Sequence, residues 1–222
     1  MKRSSSLLLV ALLVALVTTP GLAQNLSAGP TVGIGFANWG GDVEGTDSRF
    51  GLGIGGSFGF QLHDYFRLAV DGVYVQKGIS EEEDGFSIKT KLSYLEFMFP
   101  ATLTIPVADS PITPRIYLGP ALAIETGCKF SAEEGGAEVD VGCDEIFEIS
   151  EGQAPDFDTK NLDIGLFFGG GVDVAVGSGA ISVDIRYNIG LTNINDVEGA
   201  EDVSIKNRNL QIVTGYRFFF GG

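Results

Sequence analysis

Histidine and cysteine are nearly missing from this chain of 222 residues: His63 is the single imidazole, and Cys128 and Cys143 are the only thiols. One imidazole leaves little room for Ser–His hydrolysis, which needs that ring beside a hydroxyl and an acid. Basic residues are also few, 14 Lys and Arg against 29 Asp and Glu, a formal charge of −15 at pH 7. A chain this acidic is repelled by phosphates, so nucleic acid is excluded as a partner. After Gln24 no segment approaches 18 uninterrupted apolar residues, so no transmembrane helix is expected. Glycine, by contrast, is abundant at 32 residues, too many for a helical protein and suited to crowded strands and turns.

The one long apolar run, Leu7 to Val17, is about 11 residues where a spanning helix needs about 20. Lys2 and Arg3 precede it and Gly21-Leu22-Ala23 follow it, which is the order of a cleaved secretory signal. Residues 1–23 are therefore read as a signal peptide and 24–222 as one mature domain. No cysteine stands directly after the run to take a lipid anchor. Without Lys2 and Arg3, twelve basic residues face 29 acidic ones, a formal charge of −17. Export also exposes Cys128 and Cys143 to an oxidising compartment, where they can pair; two free thiols are the alternative.

Within the mature chain, apolar and polar residues alternate. The stretch ISVDIRYNIGL, residues 181–191, puts Ile181, Val183, Ile185, Tyr187, Ile189 and Leu191 on one face and Ser182, Asp184, Arg186 and Asn188 on the other. Eight such segments can be read, at about 26–38, 48–62, 66–79, 87–106, 113–128, 161–176, 180–192 and 206–220. No helical segment is available to cover their apolar faces. The fold expected is all-β, an eight-stranded antiparallel transmembrane β-barrel with apolar residues toward lipid and polar residues toward the lumen. The second, fourth and sixth connections are short and the other four longer, so both termini and the short turns are expected in the periplasm and the long loops outside.

Charge agrees with that layout. The four long loops hold 21 of the 29 acids, and Asp64 and Asp109 fall in short turns. The remaining six, Asp71, Glu96, Glu125, Asp163, Asp173 and Asp184, all lie opposite the apolar residues of their strands. Arg67, Arg115, Arg186 and Arg217 share that inner face. A buried carboxylate without a partner costs several kcal/mol, so Arg67, Asp71, Glu96, Arg115, Asp173, Asp184, Arg186 and Arg217 are expected to form one lumen network. Tyr65, Tyr94, Tyr187 and Tyr216 are candidates for interfacial girdles.

Several stretches resemble the PorT-like outer-membrane β-barrel family, itself similar in architecture to OmpA-type eight-stranded barrels. They are GIGGSFGFQLHDYFRLAVDGVYVQKG at 53–78, LSYLEFMFPATL at 92–103, RIYLGPALAI at 115–124, DIGLFFGGGVDV at 163–174, IRYNIGLTNI at 185–194 and NLQIVTGYRF at 209–218. The resemblance implies an integral barrel of the bacterial outer membrane and, in some members, a part in protein export or surface biogenesis. It brings no common active site. The chain ends Phe218-Phe219-Phe220-Gly221-Gly222, where such barrels usually finish on the aromatic itself.

The remaining motifs have plain readings. The glycine-rich stretch at 51–59 contains a loose Gly-x-Gly-x-x-Gly, but no helix follows to supply N-terminal amides, so these are read as strand glycines. His63 is read as a residue of a periplasmic turn, at the wrong end for an enzyme acting on surface lipid. The loop 129–160 has ten acids against Lys129 and Lys160. Either it is a solvated, self-repelling surface, the preferred reading, or Asp140, Asp144, Glu145, Glu148, Asp156 and Asp158 hold a calcium ion, although no EF-hand spacing is present. A disulfide between Cys128 and Cys143 would close a loop of 15 residues at the base of this segment and remove about 3 kcal/mol of unfolded-chain entropy.

The function expected is non-enzymatic: a structural, surface-interaction or export and biogenesis component of the outer membrane, without cofactor or metal. A small-solute channel and a lipid-modifying enzyme are the alternatives. An eight-stranded barrel has an interior only wide enough for its own side chains, which disfavours a pore. The partners expected are outer-membrane lipids and lipopolysaccharide, then other envelope proteins, with the chain itself a monomer.

Overall fold

A computed structural model describes residues 26–43, 47–83, 86–134, 137–143, 159–197 and 202–220. The signal segment 1–23 and the start at Gln24 lie outside these residues. The alternating segments form ten strands: β1 (Leu26–Gly41), β2 (Asp47–His63), β3 (Phe66–Glu83), β4 (Phe86–Met98), β5 (Ala101–Thr104), β6 (Ile112–Glu134), β7 (Ala137–Gly142), β8 (Leu162–Val176), β9 (Gly179–Gly190) and β10 (Ile205–Phe220). All pairings are antiparallel. β1 pairs β2, β2 pairs β3, β3 pairs β4 and β5, both of these pair β6, and the order continues through β8, β9 and β10 back to β1. The sheet is therefore a ring of eight staves with no open side.

The register fixes its shape. Paired residues can be followed around the ring from Leu26 through Phe60, Leu68, Ala101, Leu118, Phe168, Tyr187 and Leu210 to Phe36, which lies ten residues beyond the start on the same strand. A stagger of ten on eight staves tilts the strands by about 40° and gives a backbone radius of about 8 Å. Such a bore is filled by inward side chains. Ile54, Ile116, Leu118, Phe168 and Ile185 stand outward and are more than half exposed, as a lipid-facing surface requires, while Arg115, Tyr117, Phe167, Asp184 and Arg186 beside them are buried.

Three elements differ from the sequence reading, and in the first, β3, the strand expected to stop at 79 runs on to Glu83 and takes Glu81, Glu82 and Glu83 out of the loop assigned to them. The segment expected as one strand over 87–106 is broken into β4 and β5 because Pro100 has no N–H to give its neighbour. The register is the same on both sides of the break, and hydrogen bonds from Ala69 N to the Pro100 carbonyl (3.1 Å) and from Phe99 N to the Pro120 carbonyl (3.1 Å) keep it one stave. The segment expected to stop at Cys128 instead continues to Glu134 and turns into β7, so the front of the acidic loop is a hairpin.

Gly78 shows where the backbone tolerates nothing larger. It lies between two pairings of β2 and β3 whose register differs, has a φ of +124°, and a Cβ there would sit 1.9 Å from the Thr90 carbonyl oxygen. Gly78→Ala is expected to cost at least about 1–3 kcal/mol, read as a lower urea midpoint of the folded barrel. An unchanged midpoint would show that this bend relaxes freely.

Candidate functional site

The inward residues gather into two polar clusters. The first lies toward the end of the ring that carries the short turns. Arg115 reaches two strands at once, with Nε 3.2 Å from Asp173 Oδ1 and Nη2 against Asp184 Oδ2. Arg217 also pairs with Asp173, and Arg186 Nη1 lies 3.7 Å from Asp71 Oδ2 while its Nε donates to Gln211. Arg67 forms no ion pair among the described residues; its Nη2 donates to Ser57 Oγ at 3.2 Å. The guanidinium lies over Gly59, where a Cβ would be 2.3 Å from Arg67 Nε. Seven of the eight residues expected in the lumen network thus come together.

Glu96 does not join them. Its Oε1 lies 3.1 Å from Lys77 Nζ and accepts a hydrogen bond from Asn188 Nδ2 at 3.2 Å, in a second cluster toward the long loops. Lys77, 3% exposed, stands 5.0 Å from the centre of the Tyr94 ring. Asn207 Nδ2 donates to Tyr94 Oη and to Asp163 Oδ2, and the Tyr94 hydroxyl donates to Glu125 Oε2. Tyr94 is therefore a fully buried lumen residue and not part of a girdle. It sits one residue before outward Leu95, and alternation turns it inward. Between the clusters runs an apolar belt. Val73 separates Asp71 from Lys77 on β3, Met98 follows Glu96 on β4, and Phe167 separates Asp163 from Asp173 on β8, with its ring 6.1 Å from Tyr117.

The long-loop end is closed by residues that carry no periodic signal. Ile194 is completely buried in the same apolar cluster as Trp39, Ile79 and Tyr94. Lys160 N donates to the Ile194 carbonyl at 2.9 Å, Thr159 Oγ1 donates to Glu125 Oε2 at 2.7 Å, and Ile194 N donates to the Ile205 carbonyl at 2.8 Å. Segments 159–161 and 191–195 thereby fold over the lumen. At the other end His63 ends β2 and stacks on Tyr65 in the turn, ring centres 5.5 Å apart.

The β6–β7 hairpin stands beyond this closure. Cys128 and Cys143 form a disulfide across its base, Cα atoms 5.5 Å apart and next to the pair Lys129 and Gly142. Lys89 pairs with Glu133 at 2.7 Å and Lys91 with Asp140 at 2.9 Å, tying the hairpin to β4. Ser131 Oγ donates to Asp140, and this bond, then the Lys91 ammonium, holds the Asp140 carboxyl below its ordinary range. Of the six acids weighed for a cation, only Asp140 is described, and no group of metal-ligating side chains occurs among the described residues. Reducing the disulfide, or Cys128→Ser, is expected to loosen the hairpin by up to about 3 kcal/mol and speed its proteolysis while the ring stays folded. Equal cleavage rates with and without reductant would show that strand pairing alone fixes it.

Comparison with known proteins places this architecture. The profile of a family described as "Outer membrane protein beta-barrel domain" matches residues 9–218. Among solved structures, Neisserial surface protein A is similar with a TM-score of 0.50 and 18% identity, covering 88% of this chain and 97% of that one. The outer membrane protein OprG of Pseudomonas aeruginosa aligns with a TM-score of 0.44 and 14% identity over 88% and 96% of the two chains. The attachment invasion locus protein Ail of Yersinia pestis aligns with a TM-score of 0.42 and 12% identity over 87% and 99%. No curated protein matches the sequence.

Proposed function

Since the chain belongs to the outer membrane protein β-barrel domain family, we propose that it works as a non-enzymatic integral barrel, a scaffold whose loop end meets envelope partners, and not as a pore. One observation carries this reading: the bore is occupied from end to end by two polar clusters and an apolar belt, and Ile194 is buried across its long-loop end. A polar path for solutes would have to break Lys77–Glu96 and displace Met98 and Phe167. Chemistry at the surface is disfavoured by the place of His63, the last residue of β2, at the opposite end from the long loops. The finer likeness to PorT-like barrels, and with it a part in export or surface biogenesis, rests on the ordered strand motifs. The acidic loops facing outward, and lipopolysaccharide as their neighbour, belong to the same proposal.

Planar-bilayer recording tests it. The purified protein, with heat-modifiable migration as proof of folding, is expected to give no discrete conductance steps, and a strain lacking it is expected to keep an unchanged lipid A. Reproducible steps would favour the channel, and an altered lipid A the enzyme.

A further inference from the structure

The cluster near the short turns holds more positive than negative charge. Among the described residues it contains four guanidinium groups, Arg67, Arg115, Arg186 and Arg217, and three carboxylates, Asp71, Asp173 and Asp184. Each carboxylate is taken: Asp173 by Arg115 and Arg217, Asp184 by Arg115, and Asp71 by Arg186. Among the described residues Arg67 is left with the Ser57 hydroxyl as its one side-chain acceptor, and its Nε has none, although the residue is only 5% exposed. A guanidinium keeps its proton in a protein, so it cannot escape a dry site by becoming neutral. Compensation has to come from a counter-charge or from water.

The four arginines line a cavity of about 40 Å³, whose wall also holds the carboxylates Asp71 and Asp184 and the side chains of Thr102 and Tyr117. That volume takes a water molecule or an ion of similar size. Four guanidinium groups outnumber the two carboxylates in this wall, and with one guanidinium lacking an ion pair among the described residues the space favours an anion over water. We propose that this cavity binds one small monovalent anion, a halide such as chloride, which neutralises Arg67 and completes the lumen. The excess of one charge sets the ligand's valence.

The test compares the full chain, folded in micelles of a non-ionic detergent, in sodium chloride, sodium bromide and sodium gluconate at equal ionic strength. The thermal midpoint is expected to be higher in both halides than in gluconate by roughly 4 °C. In Arg67→Gln the charges balance, so the halide effect should vanish and the midpoint in gluconate should equal or exceed that of the unaltered protein. Equal midpoints of the unaltered protein in chloride and gluconate would overturn the proposal and leave water in the cavity. A halide effect that persists in the variant would also overturn it, since the ion would then act elsewhere. Should Arg67→Gln fail to fold, crystals of the unaltered protein grown in bromide decide: an anomalous peak within contact distance of the Arg67 guanidinium supports the site, and its absence overturns it.

Discussion

Arg115→Ala is expected to lower the unfolding free energy by about 3–5 kcal/mol, read as a fall in the urea midpoint of the barrel in lipid vesicles. Its guanidinium is the one group that touches both Asp173 and Asp184, and all three are buried. After removal Asp173 keeps Arg217, but Asp184 loses its only ion pair among the described residues. Arg186→Ala should cost less, because its contact with Asp71 is longer at 3.7 Å and Asp71 is 16% exposed and open to hydration. The order of the two losses is the informative result. If Arg186→Ala were as damaging as Arg115→Ala, burial of the stranded carboxylate would not be the cause.

Lys77→Met is the second large effect, again about 3–5 kcal/mol, since it strands Glu96 at 2% exposure. Glu96→Leu alone strands Lys77 and should cost a similar amount. Together the two replacements should come back near the stability of the unaltered protein, because a buried ion pair replaced by apolar residues of similar volume is often neutral or better. A double-mutant cycle reads this as a strongly favourable coupling of the two changes. Simple additivity would mean that Lys77 and Glu96 find separate hydration in the lumen.

These groups were unevenly legible in the sequence. Period-2 alternation alone sorts inner from outer residues, because in a barrel the two faces meet opposite solvents; Ile185 and Asp184 need no further context. The same parity carries Lys77 inward with Asp71, Val73 and Val75, so the partner of Glu96 could have been found by counting along β3. What parity leaves open is height along the axis, set by the stagger between strands. Parity therefore groups Glu96 with arginines from which the belt of Val73, Met98 and Phe167 divides it. The closure by Ile194 was not legible either, since segment 191–197 has no repeat and is held by side-chain bonds such as Asn193 Oδ1 accepting from Ile205 N at 2.8 Å. The β6–β7 hairpin was hidden by its acidity, which reads as loop until Lys89 and Lys91 are placed beside it.

The seam of the ring joins the chain's earliest strand to its latest, from Leu26 opposite Phe220 to Gly41 opposite Ile205. Every other stave meets the stave next in chain order, the widest gap being that from β6 to β8, where Ile124 pairs Leu162 and Ile112 pairs Val174. β1 must wait for β10. Until then each presents a row of unsatisfied N–H and C=O groups, which hydrocarbon does not tolerate. Entry into the bilayer and closure of the ring are therefore expected to coincide, with pairing of β1 and β10, the most non-local pairing of the ring, as the slow step.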